Sequence, residues 1–595
     1  MFYIRTKSQK MEFMRLFRYT SRIVFLFAVL LFTMGGAAGS PVHKDQPLAT
    51  QKQYQAPVLI NKKDNPVLKI TVEIPQSTGH VRLEAIRLST VGTTSINEIE
   101  AVRVYYYGGD SVMSTSNDMT RPLFGKSIAH GEEIQIAGKR ILAPGIHFLW
   151  VSYELSDDAD LDHRVSARCL SVTVDGKAIA VVATGKPTSQ RLGVAVRQHQ
   201  QDGVHTARIP GLATTNNGTL LAVFDARHAS ARDLQGDIDI GLHRSTDNGQ
   251  TWEPLQIAMD MGEWGGLPQK FNGVSDACIL VDRNSNAIYI AGLWMHGVIN
   301  EDGKWIEGLN EHSDDWNHQW RNKASQPGFG VRETSQFLIV KSTDDGKSWS
   351  KPINLTRMCK KEEWWLFAPA PGNGITLVDG TLVFPTQGRD EQGRPFSNIT
   401  YSTDGGDTWK TSNPAYTGTT ECAVVQLSDD RLMLNMRLNQ NKGKLGSDNG
   451  RAVAVTDDLG ISWAEHPSSS GALPEPVCMA SLYKHSFRLN NGDHSMLLFS
   501  NPNSKQFREN LTVKISHNDG ETWPETQWIL LDEGRSRGYS SLTSVDDHHV
   551  GILYESSQAD LVFQRIAISE YLGDPQPNSG KGKTRTAGEA SSGLR

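Results

Sequence analysis

Cysteine is scarce in this chain, with five among 595 residues. Cys169, Cys278, Cys359, Cys422 and Cys478 are scattered, odd in number and lack metal-ligand spacing. That excludes a disulfide-stapled framework and a cysteine metal site, and leaves buried small apolar residues as the plain reading. Charge of one sign is missing as well. A formal net charge of −6 provides no basic field, so nucleic acid is not an expected partner. Sustained helical periodicity is hard to find. The apolar run at residues 23–34 is short for a membrane span. Arg15, Arg18 and Arg22 precede it and small residues follow at 35–40. This pattern reads as an export signal over residues 1–39, cleaved near Ala38 or Gly39. No Cys stands there to carry a lipid. The mature chain is therefore expected to have no transmembrane span and to be periplasmic, on the outer surface or secreted.

Glycine is abundant, at 54 residues, as a turn-rich β protein requires. One eight-residue signature, Ser-x-Asp-x-Gly-x-Thr/Ser-Trp, recurs five times. It occupies residues 245–252, 342–349, 402–409, 456–463 and 516–523, with Thr456 replacing Ser and Asn518 replacing Asp. Each part suits a tight β-turn. The hydroxyl and carboxylate bond nearby backbone amides, the Gly takes positive φ, and the Trp packs under the turn. A single Asp-Gly turn occurs in any β-rich protein, but five copies with the terminal Trp indicate radial repetition of small sheets, a β-propeller. The Trp positions are spaced 97, 60, 54 and 60 residues apart. Three gaps are one four-stranded blade each. The first is either a blade without its signature or a long insertion.

Residues 40–62 read as an extended leader. Alternating segments follow, such as 69–74, 101–105 and 147–153, separated by turn signals at 107–110 and 143–145. They predict a β-sandwich, so that residues 40–190 form a small accessory domain and 191–573 the propeller, with 182–187 as linker. Residues 574–595, rich in Pro, Gly, Ser and Lys, are expected to be disordered.

The propeller half opens on Arg208-Ile209-Pro210, followed by a strand and then by Arg227 and Asp233. It closes on Leu553-Tyr554-Glu555. With the five signatures in between, residues 195–572 resemble the exo-sialidases (neuraminidases) of bacteria and animals. The segment before them looks like the accessory domain that some bacterial members carry. The resemblance implies a six-bladed propeller, an exported glycoside hydrolase, and sialylated glycans, glycoproteins or glycolipids as partners. No cofactor and no metal is expected.

It also implies a set of site residues. Three arginines seat the substrate carboxylate: Arg208, Arg437 in residues 434–437, and Arg508 in residues 501–508. Arg535 and Arg537 are rivals for the third. Planar guanidinium groups suit this task because they give two-point bonds to an anion. Glu555 matches the carboxylate that holds the first arginine, and Arg227 helps to hold the sugar. Tyr539 matches the nucleophile and Glu421 its base. Sialidases are the tyrosine exception among retaining glycosidases. The substrate's anomeric carbon carries a carboxylate that repels an anionic attacker. A neutral phenol approaches freely, but with a pKa near ~10 it needs a base beside it. Asp233 matches the proton donor, with Asp237 and Asp239 as rivals. Those two alternate with Ile238 and Ile240, which reads as a strand with a solvated edge. Taken singly, Tyr539 reads as a packed aromatic, Glu421 and Glu555 as strand-edge charges, and each Arg as a surface ion pair.

The first long gap contains Trp264, Trp294, His296, Trp305, Trp316, His318 and Trp320. They fit a loop roofing the pocket and an extra blade with ordinary packing equally well. The expected function is hydrolysis of terminal sialic acid with retention through a tyrosyl intermediate. A trans-sialidase, an anhydro-forming enzyme and a non-catalytic glycan-binding propeller stand as alternatives.

Overall fold

The computed structural model describes residues 45–572, apart from 113–120, 234–235, 296–305, 307, 311, 314–324, 332–333 and 490–491. The export segment at 1–39 and the tail at 574–595 lie outside the described residues. Among the described residues, no helix is long and apolar enough to cross a membrane.

Six sheets surround one axis. Blade I is built from Thr206–Thr214, Leu220–Arg227, Ile238–Ser245 and Gln256–Met259. Blade II begins with Val274–Val281, Ile288–Trp294 and Gln336–Ser342, and blade III contains Leu366–Pro369, Leu382–Arg389 and Pro395–Ser402. Blade IV begins with Thr419–Gln426, Leu432–Leu438 and Ala452–Thr456, and blade V with Ser481–Leu489, Gly492–Pro502 and Leu511–Ser516. Blade VI takes Ser540–Asp546, His549–Tyr554 and Leu561–Ala567, and is completed by Gln190–Arg197 from the start of the propeller half. The first strands of neighbouring blades touch around the axis. Strands inside this ring are packed on both faces, so Ile238–Ser245 is buried along its whole length.

The five signatures are the hairpins between third and fourth strands of blades I to V. The 97-residue gap is therefore an insertion, between Ile288–Trp294 and Gln336–Ser342 of blade II. Blade VI has no signature for a topological reason. Its fourth strand precedes the other three in sequence, so no third-to-fourth hairpin exists to be stapled. In the blade III copy, the Gly406 amide donates to Ser402 Oγ at 2.9 Å and the Thr408 amide to Asp404 Oδ1 at 2.9 Å. Trp409 Nε1 donates to the Gly406 carbonyl at 3.1 Å. Gly406 has φ +91°, and a Cβ there would lie 2.5 Å from the Tyr289 hydroxyl of blade II, so only glycine fits. Each signature thus seats its turn against the preceding blade.

The signature carboxylates are held low. Asp344, Asp404 and Asp458 sit at about 2, chiefly through the hydroxyls of Ser348 and Thr408 and the Ser462 amide respectively. Their folded values lie below the ordinary carboxylate value near ~3.9. The stability they contribute is therefore complete above about pH 4 and lost as the pH falls towards 2. Asn518 Oδ1 accepts the equivalent bonds from the Ser516 hydroxyl and from the Thr522 amide and hydroxyl without titrating. The triple variant Asp344→Asn, Asp404→Asn, Asp458→Asn is expected to flatten the fall of Tm between pH 4 and 2. An acid limb identical to that of the parent would show that the signatures contribute nothing there.

The N-terminal β domain is one nine-stranded sheet. Its edge strands, Leu123–Ser127 and Glu133–Leu142, meet so closely that a Cβ on Gly125 would lie 2.3 Å from the Ala137 carbonyl oxygen. The sheet thus folds over a core that includes Leu68, Ile70, Leu83, Ile86, Val104 and Val151. Residues 45–62, the described part of the expected leader, are not extended chain outside the fold. Leu48–Gln53 is an internal strand, parallel to Lys177–Ala183 and antiparallel to Asn65–Ile74. Gln51, only 4% exposed, bonds both the amide and the carbonyl of Cys169. Val58–Ile60 adds in parallel to Gln190–Arg197 of blade VI. Gln250, in the first signature, donates to the Ala159 carbonyl at 2.7 Å, and Arg565 pairs with Asp160 and Asp162. These bonds brace the propeller. All five cysteines are buried and unpaired.

Candidate active site

The chemistry-bearing side chains gather at one end of the axis because of strand polarity. In an antiparallel blade, the beginning of the first strand and the end of the second face the same way. Arg208, Asp276 and Glu421 are each the third residue of a first strand, and Tyr539 directly precedes one. Arg227 ends a second strand, Arg437 is next to last in another, and Glu555 follows a third. Register shifts between Arg208 and Gly211, Ser275 and Cys278, and Thr419 and Cys422 fall beside these residues. Such bulges re-aim a side chain towards the axis.

Tyr539 lies at the centre. It is 6% exposed and rests on Ile209, Cys478 and Met479. Its hydroxyl donates to Glu421 Oε1, and Arg437 Nη1 reaches the same hydroxyl at 3.2 Å while also pairing with Glu421 Oε2. The guanidinium carbons of Arg208 and Arg508 lie 5.4 and 5.5 Å from the ring centroid. Burial, and then the Glu421 charge, hold the phenol well above its ordinary value despite Arg437 and Arg508. Tyr539 is thus a neutral donor poised on a carboxylate. The preceding Gly538 has φ +90°, and a Cβ there would stand 2.9 Å from Pro502 and 3.0 Å from Cys478 Sγ. Glycine is required to turn the chain into the site.

The arginines expected from widely separated segments meet here. Arg208 Nε donates to Glu555 Oε1 at 2.8 Å, and Glu555, 2% exposed, also accepts the amides of Ile209 and Tyr539 at 3.1 and 2.9 Å. Burial pushes the Glu555 carboxyl up, but the Arg208 guanidinium outweighs it and leaves the group below its ordinary value. Arg508 is fixed by two backbone carbonyls, Arg537 at 2.8 Å and Val477 at 3.4 Å. Its rival Arg535 instead pairs with Glu509 and stacks on Phe507 at 4.0 Å. Arg437 is steadied from behind. The next amide, Leu438, donates to Glu475 at 2.8 Å, and Glu475 pairs with the fully buried Arg451 at 2.7 Å.

Asp233 stands at the rim with its side chain 60% exposed. It pairs with Arg227 and lies 3.4 Å from Arg208 Nη1. Burial raises its carboxyl, but Arg227 and Arg208 outweigh that and hold it below the ordinary value. Arg227 is itself anchored by the fully buried Asp225 at 2.8 Å. Burial raises Asp225 to about 6 in spite of that partner. Asp237 and Asp239 do not join the arginine cluster, and the solvated edge read from their alternation is wrong for Asp239. It is 4% exposed and bonded to His228 at 2.9 Å, because third strands here are covered on both faces.

Several site residues escaped the sequence reading. Asp276 carries φ +59°, and its amide donates to Asp225 Oδ1 at 3.0 Å. Burial and the charges of Asp225, Glu421 and Asp233 hold its carboxyl well above the ordinary range. Asp225, Arg451 and Glu475 were likewise missed. No motif marks them, and their importance follows only from their partners. Of the aromatics in the first long gap, Trp294 ends a blade II strand, is fully buried and meets Trp264 edge-on at 4.3 Å, which is packing. His296, Trp305, Trp316, His318 and Trp320 lie outside the described residues. At the other end of the axis, a cavity of about 330 Å³ has Thr376, Gln426, Lys484 and Thr543 in its wall and no carboxylate.

Comparison with known proteins agrees with this arrangement. Residues 209–552 match the BNR repeat-like domain, and residues 46–178 match the N-terminal domain of BNR-repeat neuraminidase. A sialidase of Bacteroides fragilis is 38% identical over 93% of this chain and 99% of its own length. An exo-alpha-sialidase of Aspergillus fumigatus is 27% identical over 63% of this chain and 86% of its own. Among solved structures, the Hadza microbial sialidase Hz136 superposes with a TM-score of 0.78 at 37% identity, covering 88% of this chain and 100% of that one.

Proposed function

The chain belongs to the BNR-repeat neuraminidase (sialidase) family of glycoside hydrolases, and we propose that it releases terminal sialic acids from glycoconjugates by double displacement through Tyr539. One observation carries this reading. A buried tyrosine donates to a carboxylate while three guanidinium groups crowd its ring and oxygen. A structural tyrosine has no use for that arrangement, whereas an acidic sugar attacked by a phenol needs each part.

Arg208, Arg437 and Arg508 seat the substrate carboxylate. Tyr539 oxygen bonds to the anomeric carbon as its proton passes to Glu421, and the bond to the glycosidic oxygen breaks as Asp233 protonates it. Water then attacks the tyrosyl intermediate, giving a proton to Asp233. Tyr539 leaves and recovers its proton from Glu421. Two inversions give net retention.

Asp233 must carry a proton to begin this cycle, yet Arg208 and Arg227 hold it ionised in the free protein. Substrate reverses the balance. Its carboxylate draws Arg208 and adds negative charge nearby, and both changes raise the Asp233 pKa. A proton donor is thus completed only when the sugar is bound. Proton NMR of the reaction with a defined sialoside tests the reading. The first-formed sugar is expected to be the α-anomer of free sialic acid. The β-anomer first would refute double displacement. An anhydro sugar or a transfer product would refute simple hydrolysis.

A further inference from the structure

The loop that carries Asp233 leaves blade I after Arg227 and returns at Ile238. Its stems are joined by more than the sheet. The His228 amide donates to the Asp237 carbonyl at 3.1 Å, and His228 Nε2 lies 2.9 Å from Asp239 Oδ2. One ligand atom each from His228, Asp237 and Asp239 fall within 4.8 Å of one another. Asp239 is 4% exposed, yet its Oδ1 is buried with no hydrogen-bond partner, and so is Oδ1 of Asp237. No Lys or Arg among the described residues pairs with either carboxylate. Asp260 adds another negative charge nearby. Gln269 bonds Asp237, but buried carboxylate oxygens are normally satisfied, so the two Oδ1 atoms are left short of donors and the cluster short of positive charge. The remaining imidazole nitrogen faces the Gly203 carbonyl, the outer bond that commonly orients a metal-bound histidine.

We propose that His228, Asp237 and Asp239 bind one divalent transition cation, zinc or manganese, that clasps the two stems of the Asp233 loop. An imidazole with two carboxylates suits these ions, whereas calcium and magnesium prefer oxygen-only shells. Bond lengths near ~2.1 Å put ligands about 3 Å apart in an octahedral shell and about 3.4 Å apart in a tetrahedral one, so the 2.9 Å between His228 Nε2 and Asp239 Oδ2 fits the first and needs a small opening for the second. Three protein ligands leave a position for water. The cation supplies the missing charge, orders the stems, and so limits where Asp233 travels. Only this last consequence rests on the proposed role of Asp233. The binding does not.

The test uses the full-length chain without a histidine tag, stripped with chelator, dialysed, and titrated with zinc chloride and with manganese chloride in a calorimeter. One ion per chain and a higher Tm are expected with at least one of the two metals. His228→Ala and Asp239→Asn are expected to weaken binding by about tenfold or more. Should either variant fail to fold, Asp237→Asn, at a less buried position, replaces it. Absence of saturable binding to the parent protein, or unchanged affinity in the folded variants, overturns the site. Binding of calcium alone overturns the assignment of the ion. Turnover is not the readout, so failure here is distinct from failure of the sialidase reading.

Discussion

Tyr539→Phe is expected to lower kcat by roughly a thousandfold or more, in line with the loss of a covalent nucleophile, while the protein stays folded. The substitution removes one oxygen. Glu421 keeps its ion pair with Arg437, and the ring keeps its place beside Arg208 and Arg508. The stability cost is therefore that of the two hydrogen bonds the hydroxyl makes, to Glu421 and from Arg437, at about 1 kcal/mol each. Binding of a competitive sialic acid analogue should change little, because the three guanidiniums remain. Turnover of a fluorogenic sialoside, affinity for the analogue and Tm together separate this outcome from misfolding. A folded variant turning over at near the parent rate would show that the Tyr539 oxygen forms no bond to the sugar, and the proposed mechanism would fall with it.

What the sequence revealed of this fold was whatever is written locally. A signature closes its hydrogen bonds within eight residues, so five blades announced themselves. Blade VI did not, because its closing strand, Gln190–Arg197, pairs with Leu561–Ala567 from the far end of the chain. Long-range pairing leaves no local mark. The segment containing Leu48–Gln53 and Val58–Ile60 was misread for the same reason, since its partners lie at 65–74, 177–183 and 190–197. The alternation at 237–240 misled in another way. Period two separates a buried face from a wet one only where one face of a sheet meets water, and a propeller blade is covered on both.

The site divides along a similar line. Arg208, Arg437, Arg508, Glu421 and Tyr539 were found as an ordered set through resemblance, since each alone has an ordinary explanation. The fold brings those five to one tyrosine ring. The supporting groups had no such handle. Asp225 matters because Arg227 must be held, and Glu475 because Arg451 is buried beside it. Asp276 matters because other carboxylates crowd it. Charge compensation of this kind is a property of neighbours in space, not of spacing along a chain.

Glu555 is the supporting residue whose loss should be felt most. It accepts bonds from the Arg208 guanidinium and from the amides of Ile209 and Tyr539, thereby tying blade I to blade VI at the site. Glu555→Ala leaves a guanidinium that is 7% exposed with only the long contact to Asp233, and leaves two buried amides without acceptors. Breaking a buried ion pair from one side costs about 3–5 kcal/mol. A large fall in Tm is expected, with loss of turnover as Arg208 and Tyr539 shift. Glu555→Gln keeps the shape but not the charge. Whichever way its amide turns, its NH2 meets a donor, so it should fall between the parent and Ala. The folded Glu555 pKa is depressed, so its contribution is complete above the unfolded carboxylate value near ~4.3 and fades as pH falls below it. The Gln variant should therefore lose the most stability at pH 7, with the deficit shrinking as the pH falls below about 4. Parallel Tm curves across that range would show that Glu555 contributes through shape alone, and that Arg208 is held by something other than its charge.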